Sequence, residues 1–154
     1  MKRLLVAVDF SDFTPALTRQ ATDLARAFGA EIVLVHVAEP DPEFVGFDAG
    51  PQTRRDDVAH RIRREHRDLQ ALAAEIAATG VAARALLVQG ATVEKLLGEA
   101  ERLKPDLILM GTHGHGRLHR LLLGSVGEGV LRGTTRPVLF VPLPREARTT
   151  PGDR

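Results

Sequence analysis

Between Gly111 and Ser125 the chain reads Gly111-Thr112-His113-Gly114-His115-Gly116-Arg117-Leu118-His119-Arg120-Leu121-Leu122-Leu123-Gly124-Ser125. A phosphate chain needs several main-chain N–H groups aimed at one place with no Cβ in the way. Gly111 and Gly114 allow that approach, and the φ > 0 conformations it can require. After nine intervening residues, Gly124-Ser125-Val126 opens a helix, whose first N–H groups lack intrahelical partners and whose dipole favours an anion. The two halves would clamp a polyphosphate between them. The same glycines would also serve plain strand–helix junctions, and glycine content does not separate the two cases. Neither G-x-x-x-x-G-K-[ST] nor a G-x-G-x-x-G after the first strand is present, and no Lys follows Lys104.

A carboxylate, Asp9, ends the first apolar run. It would either meet a ligand or cap the following turn or helix. Ser125 has the same two roles open, and they are compatible, because a cap hydroxyl faces the same N–H groups as an anion. His113, His115 and His119 invite a metal reading, but no helix or strand fixes their geometry and no carboxylate lies inside the run. With Arg117 and Arg120 they form either a basic lid over a phosphate tail or a solvated loop. Glu128 is the acid that follows Ser125, and nothing in the sequence brings it to a substrate, so no catalytic residue is assigned.

These residues need a scaffold, and the hydrophobic pattern supplies one. Arg3 to Val8 and Ile32 to Val37 (Ile-Val-Leu-Val-His-Val) are continuous apolar runs, as in strands covered on both faces. Further strands are expected at Ala82 to Val88, Leu107 to Met110 and Pro137 to Val141. Helices are expected from Pro15 to Phe28, stopped by Gly29, and over Asp56 to Thr79, Ala91 to Leu103 and Ser125 to Leu131, with Asp12 or Thr14 capping the first. The alternation predicts an α/β fold: a single-domain, three-layer α/β/α sandwich with a doubly wound, five-stranded parallel sheet. Ligands in such folds sit beyond the carboxyl ends of the strands where strand order reverses, which draws attention to Asp9, Ser11 and the segment from Gly111. A Pro-, Asp- and Gly-rich loop spans Glu39 to Pro51. The domain is expected over 1–143, with 144–154 a flexible tail.

Composition narrows the function. The 154 residues carry 21 Lys+Arg against 20 Asp+Glu, a net charge of +1, which excludes reading the chain as an electrostatic nucleic-acid clamp. The Arg-rich face of the long helix, Arg61 to Arg67, is interleaved with Glu65 and Asp68 and holds no aromatic for base stacking, so it reads as a salt-bridged surface. Without Cys there is no disulfide and no thiolate ligand. Five apolar residues between Arg3 and Asp9 are too few for a signal or membrane segment, so no membrane partner is expected and the location is expected to be cytoplasmic.

Taken together, the opening Leu-Leu-Val-Ala-Val-Asp-Phe-Ser, the G-x-x-G-x9-G-[ST] run from Gly111 to Ser125 and the closing Arg-Pro-Val-Leu-Phe-Val-Pro resemble the universal stress protein family over nearly the whole chain. The resemblance implies the five-stranded α/β fold and, for members bearing this glycine pattern, binding of ATP or another adenine nucleotide, with Mg or Mn held through the phosphates. Carried across, Asp9 corresponds to the acidic residue near the ribose. Ala7 and Val8 would border the base, Val37 would offer backbone groups to the adenine edge, and Met110 and Gly111 would meet the sugar side. Gly114, Gly124, Ser125 and Val126 would cradle the phosphates. Relatives often carry a hydroxyl two places after the Ser, where this chain has Gly127.

The resemblance implies a small ATP-binding regulatory protein of the stress response, with at most slow ATP hydrolysis. The alternative is a nucleotide-free dimeric interaction module of the same fold. The last strand, Val138 to Val141, is apolar throughout and is expected at the sheet edge, where an uncovered edge invites pairing. In the family this strand pairs with its counterpart, so a homodimer is expected; a regulatory protein partner is not identified by the sequence.

Overall fold

The computed structural model describes residues 1–39, 52–112 and 124–142, and for 52–55 the backbone alone. In chain order the elements are β1 (Arg3–Ala7), α1 (Thr14–Phe28), β2 (Glu31–Ala38), α2 (Gln52–Ala78), β3 (Ala83–Gln89), α3 (Thr92–Leu103), β4 (Leu107–Gly111), α4 (Ser125–Gly133) and β5 (Val138–Val141). The five strands form one parallel sheet in the order β3-β2-β1-β4-β5. The chain winds outward from β1 through β2 to β3, then returns to the other side of β1 as β4. The reversal therefore lies between β1 and β4, and β5 is an edge strand.

Each strand alternates its side chains between two layers. Leu4, Val6, Ile32, Leu34 and Leu109 pack with Leu17, Ala21 and Ala25 of α1 and Leu69, Ala73 and Ile76 of α2. Leu5, Val33, Val35, Ile108 and Met110 pack with Leu96, Ala100 and Leu103 of α3 and Val130 of α4. Burial on both faces explains why the central strands read as unbroken apolar runs.

Element ends follow local chemistry. Gly29 takes a left-handed φ of 63° and donates its N–H to Ala25 O, closing α1. The cap expected from Asp12 or Thr14 is not formed: Phe13 is the N-cap residue, without a side-chain hydrogen bond, and the Thr14 N–H donates instead to Ser11 O at 3.0 Å. Helix α2 starts at Gln52, ahead of Asp56, because Gln-Thr-Arg-Arg suits a helix but offers no apolar period to reveal one. At the amino ends of the strands, Asp106 Oδ2 accepts the N–H groups of Lys2 at 2.6 Å and Arg3 at 2.9 Å, and Arg3 pairs with Glu31. The expected loop from Glu39 to Pro51 lies outside the described residues beyond Glu39, as does the tail from 144.

Among the described residues no helix is long and apolar enough to cross a membrane.

Candidate functional site

The register of the sheet assembles the residues singled out from the sequence. Ala7 pairs with Val35, and Val6 with Leu109. Continued one and two steps, the β1/β4 ladder sets Ala7 beside Met110 and Val8 beside Gly111; two steps along the β1/β2 ladder, Asp9 stands level with Val37. All six therefore lie at the carboxyl edge, around the reversal between β1 and β4.

Side-chain direction then sorts them. Ala7, Val37, Met110 and Val126 belong to the apolar cluster on the α3/α4 face, so α4 begins over the face on which the first three end. Val8 belongs to the opposite cluster, with Leu4, Val6 and Leu17. Its N–H donates to Val35 O at 2.8 Å, and its carbonyl accepts from His36 Nδ1 at 2.8 Å. Val8 thus reaches the crevice through its backbone alone, and that backbone is already engaged.

Asp9 is exposed and forms a local turn rather than a helix cap. Its Oδ1 accepts from the Ser11 N–H at 3.0 Å and the Ser11 hydroxyl at 2.6 Å, an arrangement typical of Asp at chain reversals. Among the described residues no donor reaches its other oxygen, which leaves an acceptor free for a hydroxyl pair. Next to it, Phe10 has a φ of 56°, an uncommon backbone state for a bulky residue.

At the other side of the crevice, Gly124 is the N-cap of α4, with φ −61° and ψ 166° and no side-chain cap bond. Ser125 is the first helical residue, exposed, so the capping role open to it in the sequence falls to Gly124. The first intrahelical bond runs from Glu128 N to Gly124 O at 2.9 Å. The N–H groups of Ser125, Val126 and Gly127 precede it and point out of the helix start. Glu128 faces Arg132 at 3.8 Å on the exposed side. Helix α4 is held against α3 by two glycines: a Cβ on Gly129 would stand 2.8 Å from Val93 Cγ2, and one on Gly133 2.5 Å from Leu97 Cδ1. Gly114 and the His113, His115, Arg117, His119 and Arg120 segment lie outside the described residues.

Gly111 has a packing reason to be glycine. A Cβ there would lie 3.2 Å from Phe13 Cβ, and its φ is not positive, unlike Gly29, Gly80 and Gly90. A separate open groove of about 640 Å³ runs between α1 and α2 past Phe10, Thr18 and Ile76. Of the residues nominated as ligand contacts it includes Ser11 alone, and its Arg26 is matched by Asp23 at 3.5 Å, so it offers no concentration of one charge.

His36 was not singled out by motif. Its signal was a lone polar residue inside an otherwise apolar strand, which buried chemistry must satisfy.

The chain and its fold are similar to known proteins. A family model described as the universal stress protein family matches residues 1–142. A universal stress protein of Thermus aquaticus (in the QAH/OAS sulfhydrylase 3' region) is 37% identical over 143 residues, covering 91% of this chain and 98% of that protein. Among solved structures, hypothetical protein MJ0577 of Methanocaldococcus jannaschii superposes with a TM-score of 0.76 at 25% identity, covering 93% of this chain and 96% of the other. Two more distant structures share the fold. A universal stress protein in complex with cAMP has a TM-score of 0.63 at 23% identity, covering 92% of this chain and 96% of its own. One from Archaeoglobus fulgidus in complex with dAMP has a TM-score of 0.64 at 19% identity, covering 92% and 98%.

Proposed function

We propose that this chain, which belongs to the universal stress protein family, is an adenine-nucleotide-binding regulatory protein whose ligand lies across the carboxyl ends of β1 and β4. The observation that carries the reading is the convergence on one edge of an exposed carboxylate, Asp9, an apolar floor containing Ala7, Val37 and Met110, and the amides that open α4 at Ser125, which have no partner among the described residues. An adenosine needs the first two and a phosphate tail the third. That relatives of the same fold are found with cAMP and dAMP supports an adenine ligand.

In this reading Asp9 accepts from the ribose hydroxyls, Val37 offers backbone groups to the base, and Met110 and Gly111 border the sugar. Gly124, Ser125 and Val126, with Gly114, hold the phosphates. ATP fits this donor set with Mg or Mn carried by the phosphates, since no described side chain is needed as a metal ligand. Gly127 supplies an amide but no hydroxyl, so the outer phosphates are held by main chain. A cytoplasmic setting and a homodimer joined through β5 complete the proposal; the apolar edge from Val138 to Val141 supports the latter.

The chain has no Trp and no Tyr, so ultraviolet absorbance released on denaturing the purified protein reports bound adenine with little background. Calorimetry with Mg-ATP complements it. The reading expects heat of binding in the wild type and at least a ten-fold weaker Kd in Asp9→Ala, the worth of a charge-assisted hydrogen bond. Flat heat together with no released chromophore would leave the second reading, a nucleotide-free interaction module. The close fit of Gly111 to Phe13 is the observation that favours that alternative.

A further inference from the structure

Strand β2 is apolar from Ile32 to Ala38 except for His36, and an imidazole so placed must satisfy both ring nitrogens. Its Nδ1 lies 2.8 Å from Val8 O and its Nε2 3.5 Å from Glu65 Oε2 on α2. Its ring centroid is 4.7 Å from that of Phe10, within the range of favourable tilted aromatic pairs. The side chains of His36 and Glu65 are only 12% and 22% exposed. Glu65 Oε2 is buried and takes no hydrogen bond among the described residues.

A carbonyl oxygen only accepts, so the hydrogen of this contact sits on Nδ1. In a neutral ring that choice leaves a lone pair on Nε2 facing a carboxylate oxygen, two acceptors pointed at each other. The opposite tautomer serves Glu65 but turns a lone pair on Val8 O. Imidazolium alone presents a hydrogen to each partner, as a hydrogen bond to Val8 O and as an ion-pair contact at 3.5 Å to Glu65 Oε2.

We infer that His36 is a positioning residue of the candidate nucleotide site: with a proton on each ring nitrogen it ties α2 to the turn from Val8 to Phe10, and loss of one proton releases one of the two ties. Val8 and Phe10 flank Asp9, so the imidazole grips the turn on both sides of the carboxylate assigned to the ribose. The inference rests on that assignment for its effect on binding, but not for the tie itself. Among the described residues, the charged groups nearest the ring come from α2 and from the ends of β1 and β2. From α2 come Glu65 and Arg61, the latter with its Nε 3.9 Å from Glu65 Oε1 and a guanidinium N–H donating to Glu39 O at 3.1 Å. Glu39 follows β2, and Asp9 lies beyond β1. Strand β3 sets Leu87 beside His36, and its charged residue, Arg84, pairs with Val33 three positions earlier.

The test is a pH titration of the full-length protein, labelled with 15N, read at the His36 ring nitrogens and at the amides of Asp9, Phe10 and Ser11. It is paired with Mg-ATP affinities of the wild type and His36→Asn. The Asn amide keeps a donor near the Nδ1 position but has no second donor for Glu65. In the wild type the amides of Asp9 and Phe10 should move with the same midpoint as the ring, and in His36→Asn that response should vanish. The ratio of the two Kd values, which cancels the ionisation of ATP itself, should change about three- to ten-fold across the midpoint, the worth of one hydrogen bond. Glu65→Gln, a near-isosteric change, should blunt the amide response and serves if His36→Asn does not fold. Amides indifferent to the ring, with a constant Kd ratio, overturn the tie while leaving nucleotide binding intact. Amides that follow the ring in a protein that binds no ATP uphold the tie and sink the proposed function instead.

Discussion

Gly111, the last residue of β4, and Phe13, the N-cap of α1, stand so close that a methyl group added to Gly111 would lie 3.2 Å from the Phe13 Cβ. The turn leaving β1 is thereby seated on the end of β4, which closes the sheet beneath the reversal point. The nearest atom is the Cβ, not the ring. Gly111→Ala should cost about 1 kcal/mol by overpacking, and trimming Phe13 to Ala in the same chain should not rescue it, because the Cβ remains. Urea denaturation of the two single variants and the double variant checks this; rescue by the trimmed ring would place the conflict with the aromatic atoms at 3.4 Å instead.

Helix α4 depends on Gly129 lying against Val93. A Cβ at Gly129 would meet Val93 Cγ2 at 2.8 Å and Cγ1 at 3.0 Å, and a β-branched side chain has little freedom to turn aside. Ala has a helix-propensity advantage of up to about 1 kcal/mol over Gly, yet Gly129→Ala should be net destabilising by about 1 kcal/mol, since overpacking costs about 1–3 kcal/mol. Val93→Ala combined with Gly129→Ala should show favourable coupling in a double-mutant cycle. Gly133→Ala should be milder, because its neighbour is the far end of the flexible Leu97 side chain.

Phe10 holds a left-handed backbone at φ 56°, which costs a side-chain-bearing residue about 1–2 kcal/mol. Phe10→Ala keeps that strain and loses the ring contact with His36, whereas Phe10→Gly loses both. The Gly variant should therefore be more stable than the Ala variant by about 1 kcal/mol, the reverse of the order found in a helix or strand. Thermal melts of the two variants decide it.

The two N–H donors from Lys2 and Arg3 hold the Asp106 carboxyl below its ordinary value of 3.8. A carboxyl whose folded-state pKa is depressed stabilises the fold above the unfolded value, and that contribution is lost as pH falls through the folded value. The stability gap between wild type and Asp106→Asn should be open at neutral pH and should close on acidification below 3.8. A gap that persists unchanged into strong acid would mean the charge plays no part in joining β1 to β4.

The architecture was largely legible in the residues. Leu4 to Val8 and, His36 apart, Ile32 to Val37 are apolar throughout because both sheet faces are covered, and Gly29 stops α1 where a left-handed residue is needed. Asp9 and Met110 could be placed at one edge from strand order alone. What did not show was anything set by register or by side-chain direction. Val8 looked like a neighbour of Ala7 in function, yet alternation sends it to the other layer. His36 read as one more member of a buried strand, and its partners, Val8 O and Glu65, are 28 and 29 positions away in the chain. The capping of α1 by Phe13 defied composition, because the backbone of Ser11 did the work expected of a side chain. Gly111 was legible as glycine but not for its reason, which lies across the sheet in Phe13.

The central claim is that the open amides of α4 hold the phosphate end of an adenine nucleotide while Asp9 holds its sugar. Backbone amide spectra of the wild type with saturating Mg-ATP and, separately, with adenosine test it most directly. The account predicts that Ser125, Val126 and Gly127 shift with Mg-ATP and barely with adenosine, while Asp9 responds to both. Resonances of Ser125 to Gly127 that stay still when ATP is bound, or that move equally with the phosphate-free nucleoside, would contradict it.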